Sequence, residues 1–188
     1  VTVTNSLASQ FPDIAAEWHP TKNGDFTPAD VVAGSNKYFW WKCPKGEDHE
    51  WKACPNNRTG GRKNGCPCCH GIKASITNSL ASLFPKIAAE WHPTRNEEMT
   101  PADVVAGSNK KVWWKCPKGP DHEWEATVNH RTGGSGTGCP CCSGGQVSVT
   151  NSLASQFPEI AAEWHPTKNG DLTPADVVAG SNKKFWWK

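Results

Sequence analysis

The feature that most restricts what this chain can fold into is that it repeats itself. Asn5-Ser6-Leu7-Ala8-Ser9 returns as Asn78-Ser79-Leu80-Ala81-Ser82 and again as Asn151-Ser152-Leu153-Ala154-Ser155. Ile14-Ala15-Ala16-Glu17-Trp18-His19-Pro20 and Pro28-Ala29-Asp30-Val31-Val32 also occur three times. The period is about 73 residues, and the first two copies agree at about seven positions in ten with no gap. A chain of 188 residues would otherwise suit one domain. The repeat instead divides it into a module over 3–73, a second over 76–145 and a partial third over 149–188. The start at Val1 and the stop at Lys188, one residue before the position held by Cys43 and Cys116, suggest a piece of a longer array.

A module of about 70 residues buries too little apolar surface to be secure alone and needs a staple. The nine Cys are the candidates, and an odd number cannot pair fully as disulfides within the chain. Small modules with C-x2-C pairs favour zinc, which implies an intracellular, reducing setting. Comparing the copies selects the ligands. Cys54 is replaced by Thr127 and His70 by Ser143, so neither belongs to a shared site. Cys43, His49, Cys66 and Cys69 remain, matched by Cys116, His122, Cys139 and Cys142. Cys68 and Cys141 are the competing choices within each final pair, and C-x2-C is the commoner geometry. Three thiolates and an imidazole close a tetrahedral shell, so each ion is structural and not catalytic. Two structural Zn2+ are expected, one per complete module.

Within a module, Asn5 or Ser6 reads as a helix N-cap, with Leu7 and Phe11 one turn apart and Pro12 opening a second short helix. Ile14, Ala15 and Trp18 continue at helical spacing to Pro20. Residues 37–43 read as a strand and 49–53 as its return. A glycine loop at Thr59-Gly60-Gly61 then leads to the final Cys pair. The expected fold class is α+β, in tandem small zinc-stabilised modules of short helices followed by a zinc-clamped β-hairpin.

The pattern S-L…P-x-I-A-x-E-W-H-P…G-S-N-K…W-W-K-C-P…H-x-W…R-T…G-C-P-x-C resembles the probable zinc-ribbon, treble-clef type repeat family, over essentially the whole chain. The resemblance implies a zinc knuckle on a β-hairpin, with the second ligand pair near a helix N-terminus. It also implies, by analogy with the nuclease-like domains that accompany such modules, contact with nucleic acid. Cys54, Cys68 and Cys141 depart from the family pattern.

Charge sharpens the choice of partner. The net charge is only +2, which argues against non-specific polyanion binding by bulk charge. Divided by copy, the front of module one carries about −3 and its zinc half about +5, against about −2 and +2 in module two. Candidate contacts with nucleic acid or another partner are Lys37, Trp40, Lys42, Lys45 and Arg58, and Lys110, Trp113, Lys115 and Arg131. Lysines interleaved with aromatics suit a stacking surface for single strands. Alternatively both Trp rings of each pair pack, one on each side of the hairpin. Arg58 and Arg131, beside glycine loops, suit either a phosphate or a plain hairpin connection. His19, His92 and His165 read as helix-ending residues bonded locally, not as catalytic groups. The expected function is non-catalytic: a zinc repeat array binding DNA or RNA, or else a scaffold for protein partners. Neither a membrane span nor a small-molecule substrate is expected.

Overall fold

The computed structural model describes residues 1–61, 64–134 and 136–188. Arg62 and Lys63, two of the cations counted in the first zinc half, lie outside the described residues. The chain forms two compact units, Val1–Leu83 with Pro101–Ala106, and Phe84–Thr100 with Gly107–Lys188. Each unit holds one cysteine-rich half and the beginning of the copy that follows it.

In the first unit, Ser6 caps helix α1 (Leu7–Gln10) by accepting the Ser9 N–H, and Pro12 starts helix α2 (Pro12–Ala15). Helices of one turn do not persist in water on their own. These two are held by Leu7, Phe11, Ile14 and Trp18, which pack on a β-hairpin. The hairpin joins β1 (Phe39–Lys42) and β2 (Glu50–Ala53), antiparallel, with Trp41 opposite Trp51. Successive side chains on a strand alternate faces. Phe39 and Trp41 are accordingly buried, while Trp40 and Lys42 are half-buried on the other face.

Trp18, expected at helical spacing, lies beyond α2 in a bridge to Trp41. The His19 N–H donates to the Trp40 carbonyl and the Lys42 N–H to the Glu17 carbonyl, which stitches the front of the module to β1. Trp18 and Trp41 meet edge to face at 5.3 Å, and the Trp41 indole N–H donates to the Ala53 carbonyl. Leu7, Trp41, Cys43, Trp51, Cys66 and Cys68 form one core. The helical front and the cysteine-rich half are therefore not separate lobes. Cys54-Pro55 then opens helix α3 (Pro55–Thr59), where the sequence suggested only a loop. Helix α4 (Leu80–Leu83), from the start of the second copy, completes the unit.

The second unit repeats this order. Helix α5 (Pro85–Ala88) is followed by the hairpin β3 (Lys111–Lys115) and β4 (Glu123–Thr127), and then by α6 (Val128–Thr132). The third copy adds α7 (Leu153–Gln156) and α8 (Pro158–Ala161), with Leu153, Trp164 and Val177 as a small core. Trp41 and Trp114 are fully buried, whereas Trp187 is 41% exposed. The residues that cover Trp41, such as Trp51 and Cys66, belong to the half that follows it in sequence. Among the described residues, no helix is long and apolar enough to cross a membrane.

Candidate metal centres

Each hairpin ends where a metal site begins. Cys43 follows β1, and its N–H donates to the His49 carbonyl just before β2, which closes the turn between them. The turn brings Gly46 against the His49 ring. A Cβ there would stand 2.5 Å from the imidazole Cδ2, so only glycine permits this approach, and Gly119 at His122 does the same at 2.4 Å. Cys66 and Cys69 arrive from a turn beyond α3. The turn is closed by the His70 N–H on the Cys66 carbonyl and the Gly71 N–H on the Cys68 carbonyl. Gly71 and Gly144 take positive φ, 67° and 76°, which ends the turn. The second ligand pair thus sits in a turn, not at the helix N-terminus that the family resemblance implied.

The ligand atoms of Cys43, His49, Cys66 and Cys69 all lie within 4.8 Å of one another, as do those of Cys116, His122, Cys139 and Cys142. The Sγ atoms of Cys43 and Cys69 are 3.7 Å apart, and His49 Nδ1 stands 3.6 Å from Cys66 Sγ and 3.5 Å from Cys69 Sγ. The corresponding separations in the second site are 3.8, 3.6 and 3.6 Å. A tetrahedral zinc with ordinary Zn–S and Zn–N bonds needs edges of about 3.8 Å between sulfurs and about 3.6 Å from sulfur to nitrogen. Both clusters fit that ion. Burial and the neighbouring sulfurs push the Cys69 thiol up to about 12 and the Cys142 thiol to about 11; a coordinated cation would act in the opposite direction, favouring the thiolate. Cys68 and Cys141 are buried in the core outside the clusters, and burial raises both thiols.

A family model described as a probable treble clef zinc finger domain matches residues 14–72, 87–145 and 160–188. The chain belongs to this family. No curated protein shows significant similarity to it. The treble clef modules are thus tandem zinc-binding units, and the first two matched segments each contain a Cys3His cluster.

The candidate contact residues separate into two groups. Arg58 and Arg131 do not face solvent. Arg58 is buried, with its Nη2 2.6 Å from the Glu17 carboxylate and its guanidinium 4.4 and 5.0 Å from the Trp41 and Trp51 ring centres. Arg131 repeats this with Glu90, Trp114 and Trp124. Both are core residues, and the expectation that they hold a phosphate is corrected. Their glycine loops had suggested an open cradle, but α3 and α6 turn each side chain inward. The others line the outer face of each hairpin or flank it. Lys37, Lys45 and Lys110 are exposed, Lys42 lies 3.5 Å from Glu50, and Lys115 lies 2.9 Å from Glu123.

Trp40 is half-buried under the ammonium groups of Lys22 and Lys52, at 4.9 and 5.1 Å, and Trp113 lies under Arg95 at 4.4 Å. One Trp of each pair is therefore core and its neighbour faces outward. Lys22 and Arg95 had not been singled out from sequence, although each occupies the same position in its copy.

His19 is a local residue. Its Nδ1 accepts the N–H groups of Thr21 and Lys22, and its Nε2 meets Glu50 at 3.0 Å. The Lys22 ammonium and then the His19 ring hold the Glu50 carboxyl down at about 2. Glu123 is likewise lowered, first by Lys115 and then by His92.

Proposed function

We propose that the chain is a non-catalytic, intracellular array of zinc-folded modules that binds nucleic acid, single strands foremost, through the outer faces of its hairpins. One structural Zn2+ sits in each Cys3His cluster, two in all. The observation that carries the reading is the outward tryptophan under a cation in every copy: Trp40 with Lys22, Trp113 with Arg95 and Trp186 with Lys168, at 4.9, 4.4 and 4.9 Å. Lysines recur around it as Lys37 and Lys42, Lys110 and Lys115, and Lys183 and Lys188. A base can stack on an indole whatever its sequence, while flanking cations follow the backbone.

A scaffold for protein partners is the second reading, and one observation favours it. Glu50 engages both Lys22 and Lys42, and Glu123 engages Arg95 and Lys115. Glu125 also stands where the first hairpin has Lys52, so the outer face of the second hairpin carries less positive charge.

Titrating the zinc-loaded chain with single-stranded and duplex oligonucleotides over a range of salt separates the two. Phosphate contact gives a linear fall of log affinity with log salt. Trp40→Ala and Trp113→Ala should each weaken single-strand binding by about 1–3 kcal/mol per stacked base. Absence of binding at low salt refutes the nucleic-acid reading and leaves the scaffold. Elemental analysis of the same preparation should find two zinc ions per chain.

A further inference from the structure

Each metal histidine reaches its cluster through Nδ1, and its other nitrogen points into the start of the next repeat. His49, buried, has its Nε2 3.2 Å from Ser75 Oγ and 2.8 Å from Thr77 Oγ1. His122 Nε2 meets Ser148 Oγ at 3.2 Å and Thr150 Oγ1 at 2.6 Å. Ser75 and Ser148 immediately precede the Ile76-Thr77-Asn78 and Val149-Thr150-Asn151 stretches that open the second and third copies.

The rest of this clasp is also made with the knuckle itself. Asp48, next to His49, accepts the Ile76 N–H at 2.8 Å. The Asn78 side chain accepts the Ser75 N–H and donates to the carbonyl of Cys68, which lies between two ligands. Asp121, Val149, Ser148, Asn151 and Cys141 make the same bonds in the second unit. In the first copy the matching residues keep the local turn, with the Thr2 N–H on Asn5 and the Thr2 and Thr4 hydroxyls bonded to each other.

A neutral imidazole has one donor nitrogen and one acceptor nitrogen. When Nδ1 is given to a metal, the proton sits on Nε2, and a buried donor left without an acceptor is costly. A hydroxyl acceptor at Nε2 therefore fixes both the tautomer and the ring orientation. We propose that Ser75 with Thr77, and Ser148 with Thr150, are positioning residues for the metal histidines. Each zinc centre is thereby completed by the first residues of the following repeat, and metal binding in one copy orders the start of the next. This rests on zinc being the resident ion of the clusters.

Zinc competition with a chromophoric chelator on the full chain tests it. The double substitution Ser75→Ala with Thr77→Ala should weaken one of the two sites by about 10–100-fold and leave the other unchanged. The conservative pair Ser75→Thr with Thr77→Ser should keep both sites tight. Amide exchange on the wild type supplies a measure that needs no variant: zinc should slow exchange over 76–80, and Cys43→Ser should abolish that slowing. Two sites of unaltered affinity in the double-alanine chain, or exchange over 76–80 that ignores zinc, overturns the proposal. A wild type that takes up no zinc at all instead overturns the zinc reading beneath it.

Discussion

Arg58 shows how far a single residue can be read from its neighbours in sequence. Beside Thr59-Gly60-Gly61 it suits a phosphate loop, yet its guanidinium closes the core over two indoles and pairs with Glu17, forty-one residues away. No local pattern announces a partner at that distance. Arg58→Ala should therefore destabilise the zinc-loaded chain by about 3 kcal/mol, since it strands a partly buried carboxylate and strips a packed side chain. Urea unfolding measures this, and a phosphate contact would instead leave stability unchanged. The candidate ligands were far more legible. Comparison of Cys54 with Thr127 and of His70 with Ser143 removes two decoys, the C-x2-C geometry sets Cys68 and Cys141 aside, and the four candidates left in each copy are the four whose donor atoms converge.

At the scale of elements, the caps and strands were readable because their signals are local. Ser6 caps α1 and Pro12 opens α2 at the positions their chemistry favours. The alternation of Phe39, Trp40, Trp41 and Lys42 fixes which ring is core. The missed elements were α3 and α6, hidden because a five-residue helix carries no apolar period. Their signal lay in the residue before each. Thr127 caps α6 by accepting the His130 N–H, whereas Cys54 at the same position makes no such bond. Cys54→Thr should accordingly raise the stability of the first unit by about 1 kcal/mol, seen as a higher melting temperature with zinc uptake unchanged. Lower stability would mean that the buried thiol packs better than a threonine can.

At the scale of the whole molecule, the sequence period marks what is repeated but not where a compact unit ends. The first unit runs through the Ser75–Asn78 clasp to Leu83 because hydroxyl, amide and carboxylate bonds tie that stretch to the preceding knuckle. Such bonds join residues 10 to 28 positions apart and have no signature in composition or periodicity. A fragment ending at Lys73 should hold zinc about tenfold more weakly, or worse, than one ending at Leu83, as chelator competition on the two fragments would measure. Similar affinities would mean that the knuckle is self-sufficient. The clasp also bears on how such an array can lengthen or shorten. The stretch that is copied and the stretch that closes around a metal are out of phase, so any in-frame duplication one period long, wherever its breakpoints fall, brings a complete joint with it. A slip of even one residue between Cys69 and Ser75 would instead leave a histidine facing the wrong hydroxyl, so change in these genes should come in whole periods.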